Sequence, residues 1–155
     1  MVIPEHQGWP RVPSSAETQS IHDAWSTPNQ DAGRPLRILV VDDERLIADT
    51  LAYILNQNGF TAKAAYSGEA ALALVSELCP DILLTDVHMP GRDGIETAML
   101  MREQCPDLRV VLLSGQVWSS GGIEEVEQSA GFELWPKPIH PHELVQRLRA
   151  HQANA

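Results

Sequence analysis

Short apolar runs and helix-period segments take turns along residues 36–152, and no other feature limits the fold of this chain so tightly. "LRILVV" (36–41), "FTAKAAY" (60–66), "DILLTD" (81–86), "LRVVLLS" (108–114) and "FELW" (132–135) read as strands, the second weakened by its alanines. Strands this apolar and β-branched are covered on both faces. After the first strand, "ERLIADTLAYILNQNG" (44–59) sets Leu46/Ile47, Leu51 and Ile54/Leu55 at helical spacing, with Gly59 where a helix ends. "SGEAALALVSELCP" (67–80) reads as a helix capped by Ser67, with Pro80 beyond its end. "DGIETAMLMREQCP" (93–106) opens like a capping box, Asp93 followed three residues later by Glu96. The loop "GQVWSSGG" (115–122) leads to a short acidic helix, "IEEVEQSA" (123–130), and "PHELVQRLRAHQ" (141–152) starts on Pro141. Five strands and five helices in strict alternation predict an α/β, doubly wound fold: a parallel sheet with helices on both faces.

Residues 1–34 break the rhythm. Pro4, Pro10, Pro13 and Pro28 interrupt a Ser-, Thr-, Gln- and Asn-rich segment with no sustained period, so little apolar surface is there to offset ordering entropy. They read as a disordered or loosely held arm, with Trp9 and Trp25 its only large apolar anchors, and residues 35–155 as one domain. The formal net charge of −10 and the lack of a Lys/Arg cluster argue against a nucleic-acid surface. No apolar stretch approaches a membrane span and no secretory signal pattern opens the chain, which gives a cytoplasmic expectation with no membrane partner. Cys79 and Cys105 lack CxxC spacing and a His-rich neighbourhood, and read as two reduced thiols in or near the core.

Three strands stop at polar residues. Ile38-Leu39-Val40-Val41 halts at Asp42-Asp43, the third strand at Asp86, and the fourth at Ser114, while Lys137 follows the fifth. In a parallel α/β sheet these carboxyl ends share one rim, where ligands bind. Adjacent carboxylates repel and are costly to bury unless neutralised, and Mg²⁺ takes oxygen ligands of this kind. A cation, a lysine and a hydroxyl around one carboxylate can hold a phosphoryl group. Simpler readings stand beside each of these. Asp42 can cap the first helix, Asp86 can be a turn residue, Lys137 a solvated surface lysine and "EEVE" (124–127) a solvated face.

Residues 36–152 resemble the receiver domain of two-component response regulators. "ILVVDDE" (38–44), "DILLTDVHMPGRDGIE" (81–96), "VVLLSG" (110–115) and "KP" (137–138) carry the likeness through their order and intervals. The resemblance implies a flavodoxin-like (βα)5 sheet with strand order 2-1-3-4-5, and a role as a phosphoacceptor in a two-component phosphorelay. Asp86 would accept a phosphoryl group from a histidine kinase or histidine phosphotransfer protein. Asp43, Asp86 and the backbone carbonyl of His88 would bind Mg²⁺, with Asp42 acting mainly through water. Ser114, Gly115 and Lys137 would hold the phosphoryl oxygens, and the bond before Pro138 would be cis. The His88 imidazole has no required part.

The likeness has one departure. Leu134 stands three residues before Lys137, where many members carry an aromatic that swings inward, and Trp135 next to it faces the other way on a strand. Only a few residues follow the last helix, leaving no room for an output domain, so the expected output is a protein contact with an unidentified downstream partner. Two rival readings remain. One is a constitutive partner-binding pseudo-receiver. The other is a phosphohydrolase of the haloacid dehalogenase type, which needs a second acid two residues after the nucleophile, where His88 follows Asp86 and Glu44 follows Asp42.

Overall fold

A computed structural model of the chain describes residues 33–76, 78–115 and 130–153. Five parallel strands form one sheet: β1 (Arg37–Val41), β2 (Thr61–Ala65), β3 (Ile82–Asp86), β4 (Arg109–Ser114) and β5 (Glu133–Pro136). Their order is β2-β1-β3-β4-β5. Four helices are described: α1 (Arg45–Gln57), α2 (Gly68–Val75), α3 (Gly94–Gln104) and α4 (Pro141–Ala153). Nearly all of the expected arm, the Gly121-Gly122 loop and the helix expected from residue 123 lie outside the described residues.

Alternation along each strand splits the core into two layers. Leu39, Val41, Leu83, Val110 and Leu112 face α2 and α3, packing on Ala71, Val75, Ala98 and Met101. Ile38, Val40, Ile82, Leu84, Val111 and Leu113 face α1 and α4, meeting Ala48, Leu55, Leu144 and Leu148. All five residues of β1 are buried. A fully buried aliphatic side chain contributes about 1.5–3 kcal/mol, so the central strands dominate the hydrophobic stabilisation.

Local chemistry fixes most element ends. The Ser67 hydroxyl accepts the Ala70 N–H, and the Asp93 carboxylate accepts that of Glu96 at 2.8 Å. Gly59, at φ +89°, turns the chain out of α1. The helix expected over residues 67–80 is shorter, α2 ending at Val75 with Ser76 as its C-cap, whose hydroxyl donates to the Ala73 carbonyl at 2.7 Å.

The reduced-thiol expectation is corrected. Cys79 and Cys105 form a disulfide, with Cα atoms 5.7 Å apart, across a separation of 26 residues. Each follows a helix on the same face of the sheet, and α2 packs against α3, so the fold joins what sequence spacing did not suggest. Nearby, Arg34 donates two hydrogen bonds to the Asp81 carboxylate, at 2.6 and 2.9 Å, and Asp81 also accepts the Arg37 N–H. Burial alone would push the Asp81 carboxyl up. The Arg34 hydrogen bonds, the Arg37 N–H and both guanidinium charges outweigh it and hold the carboxyl below its ordinary 3.8. A groove of about 790 Å³ runs along this amino edge of the sheet, bordered by Gly33, Arg34, Cys79, Cys105, Pro106 and Gln152 among others.

Candidate functional site

At the opposite, carboxyl edge, β1 and β3 deliver the carboxylates. Val41 pairs with Ala65 and with Thr85, so the chain leaves β1 at Asp42 level with the end of β3. The Asp42 N–H is held by the Ala65 carbonyl at 3.2 Å, and its side chain is buried. Asp86 pairs with Leu113 on β4, and its side chain is 15% exposed. Asp43 is exposed. One oxygen from each of Asp42, Asp43 and Asp86 lies within 4.8 Å of the others.

Lys137 arrives from β5. Its N–H bonds the Ser114 carbonyl at 2.7 Å, fastening it to the end of β4. The Nζ atom lies 3.2 Å from Asp86 Oδ2 and 3.4 Å from Asp42 Oδ2, so one ammonium bridges residues 44 positions apart. The Lys137–Pro138 bond is cis. Ser114 is buried at the end of β4, and a Cβ placed on the exposed Gly115 would stand 4.0 Å from that of Lys137.

The electrostatics follow from a three-carboxylate cluster in which one ammonium meets Asp42 and Asp86. Burial pushes Asp42 above its ordinary 3.8 and the nearby Asp86 charge adds to that, against the Glu44 N–H and the Lys137 charge, which pull it down. For Lys137, burial would lower the ammonium, but the charges of Asp42 and Asp86 and its hydrogen bonds to both raise it above 10.5. The two partners thus differ: the lysine gains from the pair, while the more deeply buried Asp42 is left short of positive charge. A single ammonium does not neutralise the cluster. Three converging carboxylates, one of them open to solvent, are hard oxygen donors that fit Mg²⁺.

The two oxygens of Asp42 meet different partners. Oδ1 accepts the Glu44 N–H at 2.9 Å, serving the start of α1, while Oδ2 faces Lys137. Glu44 itself supplies no side-chain cap to α1. His88 is exposed in the loop after β3. Leu134 is half-buried and packs on the α2/α3 side of the sheet, whereas Trp135 is buried on the α1/α4 side. They face opposite layers, as period-two alternation requires.

Sequence reasoning missed two supports. Gly94 starts α3 so close to β3 that an added Cβ would stand 2.0 Å from the Asp86 carbonyl oxygen, and its N–H bonds the Val87 carbonyl at 2.9 Å. A Gly right after an N-cap Asp is the signal that could have pointed to this contact. The second is Arg102, which reaches from α3 to the carbonyls of Leu108 and Ala130 and lies 4.6 Å from the centre of the Phe132 ring. Nothing in its spacing announced that role.

The comparisons agree with this geometry. Residues 38–149 match the response regulator receiver domain. Response regulator MprA of Mycolicibacterium vanbaalenii is 36% identical over 116 residues, covering 75% of this chain and 50% of that protein. MprA of Mycobacterium ulcerans is 36% identical over 115 residues, covering 74% and 49%. The chain therefore spans about half the length of the curated relatives it matches. The CheY-like receiver domain protein of Methanospirillum hungatei JF-1 shares the fold at a TM-score of 0.70 and 23% identity, covering 77% of this chain and 95% of that one. A Francisella response regulator receiver domain superposes at 0.65 with 28% identity, covering 74% and 94%. With the sheet order, the acidic rim and these matches together, the chain belongs to the response regulator receiver domain family.

Proposed function

We propose that Asp86 accepts a phosphoryl group from a phosphohistidine of a histidine kinase or histidine phosphotransfer protein. The observation that carries this reading is the bridge from Lys137 to both Asp86 and Asp42, with Asp43 alongside. An Asp86 carboxylate oxygen attacks phosphorus, the P–N bond to the donor imidazole breaks, and an acyl phosphate forms on Asp86. Lys137 offers its ammonium to a phosphoryl oxygen, and the Ser114 hydroxyl and Gly115 N–H meet the others. Asp42, Asp43, Asp86 and the His88 carbonyl would hold Mg²⁺, which, when bound, neutralises the carboxylates and the incoming phosphoryl charge.

Phosphorylation adds charge at the rim and draws on Ser114, biasing a nearby protein-binding surface. The output is a contact with a downstream protein, with neither nucleic acid nor membrane as partner, and the chain works in the cytoplasm. Among the described residues no helix is long and apolar enough to cross a membrane. Receiver domains act in signalling, and the phosphohydrolase reading is poorly served. Exposed His88 rather than an acid stands two residues after Asp86, and Glu44, two after Asp42, is taken up at the start of α1. Leu134, packed into the α2/α3 layer, is the observation that keeps a constitutive pseudo-receiver as the second reading. Labelling with a small-molecule phosphodonor and Mg²⁺ decides between them. One phosphoryl group per chain, lost in Asp86→Asn, supports phosphotransfer, whereas equal labelling of that variant, or none of the parent, overturns it.

A further inference from the structure

The Cys79–Cys105 disulfide sits at the amino edge of the sheet, away from the phosphoryl chemistry, and its two cysteines differ in exposure. Both cysteines border the groove formed by Pro80, Pro106 and their neighbours, but Cys79 is exposed whereas Cys105 is 3% exposed and belongs to the α2/α3 core layer. A thiolate attacks a disulfide along the sulfur–sulfur axis at whichever sulfur it can reach, and the more exposed residue of this pair is Cys79. We propose that this pair is a thiol–disulfide exchange site, entered at Cys79, whose state sets how firmly the end of α3 is fastened to the entry of β3.

The chemistry balances with a thiol as co-reactant. A thiolate RS⁻ bonds to Cys79 Sγ, the Cys79–Cys105 bond breaks, and Cys105 leaves with the electron pair and takes a proton from solvent. A second thiolate then attacks the mixed disulfide, giving RSSR and the Cys79 thiol. In sum, one protein disulfide and two RSH become two protein thiols and RSSR. The reverse reaction needs a disulfide of the same class, such as oxidised glutathione.

Three contacts make the tie consequential. The Cys105 N–H closes the last turn of α3 on the Met101 carbonyl at 2.8 Å. One turn earlier, Arg102 holds the carbonyls of Leu108, before β4, and Ala130, before β5. At its other end the same helix begins against Asp86. Opening the disulfide therefore frees the end of a helix that spans the domain from the phosphoacceptor strand to the amino edge. Cytoplasmic placement, proposed above, keeps the pair under constant challenge from cellular thiols, a setting in which disulfides are mainly transient or redox-sensing. The exchange itself does not rest on that placement or on phosphorylation of Asp86.

The test uses the full chain purified without reductant and held folded in buffers of graded reduced and oxidised glutathione, with dithiothreitol as a parallel arm. Acid quench, maleimide alkylation and peptide mass mapping then read each cysteine. The expected result is reversible interconversion between a form that takes no maleimide and one that takes two, without denaturant. Glutathione should be trapped on Cys79 in Cys105→Ser and in the parent at low thiol, with no trapping on Cys105 in Cys79→Ser. In the reduced form, amide exchange should rise over residues 102–108 and near Cys79, while β1 keeps its protection. Free thiols in the protein as purified, reduction only in denaturant, glutathione trapped first on Cys105, or unchanged exchange at the α3 end would each overturn the proposal. Parent-protein trapping decides the matter if either serine variant fails to fold.

Discussion

Gly94→Ala puts the join between α3 and the phosphoacceptor strand under direct strain. The new Cβ would stand 2.0 Å from the Asp86 carbonyl oxygen, 2.9 Å from its carbon and 3.1 Å from Val87 Cα. All three are backbone atoms, so no rotamer change relieves the clash. The helix start must retreat by about 1 Å to reach the shortest tolerable contact, stretching the 2.9 Å bond from Gly94 N–H to Val87 as it goes. Overpacking of this kind costs about 3 kcal/mol, from which the better helix propensity of alanine recovers at most about 1 kcal/mol. The net loss of roughly 2–3 kcal/mol should lower the urea midpoint by about 1–2 M, taking a slope near 1.5 kcal/mol/M. Beryllofluoride, an acyl-phosphate mimic, should bind Gly94→Ala more weakly in the presence of Mg²⁺, because the Asp86 main chain moves with the helix. Gly115→Ala is the matched control for the urea midpoint alone, since its added Cβ meets nothing nearer than the Lys137 Cβ at 4.0 Å. A Gly94→Ala protein with the parent's urea midpoint and an unshifted Asp86 amide resonance would refute the packing argument.

Further outcomes follow from other parts of the molecule. Replacing both cysteines by serine opens the 26-residue separation and should cost about 3.5 kcal/mol on the chain-entropy account, read by urea unfolding against the oxidised parent. Because the Asp81 carboxyl lies below 3.8 in the folded chain, its stabilisation is present above 3.8 and fades as pH falls through the folded value. Arg34→Ala should accordingly start acid unfolding at higher pH, as circular dichroism across pH 2–5 would register. Mg²⁺ at ten times its dissociation constant should stabilise the parent by about 1.4 kcal/mol, and the effect should vanish with chelator and in Asp43→Ala, as thermal melts would report.

How much of this could be read from the residues alone varies with the range of the interaction. The strands were legible because Val, Ile and Leu crowd both faces of β1, β3 and β4, leaving no amphipathic ambiguity. Ser67 and Asp93 were legible as caps because a cap and its N–H lie three residues apart. The rim was legible through fold class, since parallel strands must bring their carboxyl ends to one edge. The disulfide was hidden, because no local spacing encodes the packing of α2 on α3. The Asp81–Arg34 pair was hidden for the same reason, its partners lying 47 positions apart. The split service of Asp42 was hidden because neither partner is announced by residue type at a local spacing, Glu44 meeting it through its N–H and Lys137 from 95 positions away.

Gly33 and Gln152 border the same groove, so the polypeptide passes into and out of this fold at neighbouring points. Both points lie at the end of the strands remote from Asp86. Such a layout behaves like a plug-in cassette: fused sequence on either flank, or circular permutation across a short linker, leaves the acidic rim unobstructed for an approaching donor.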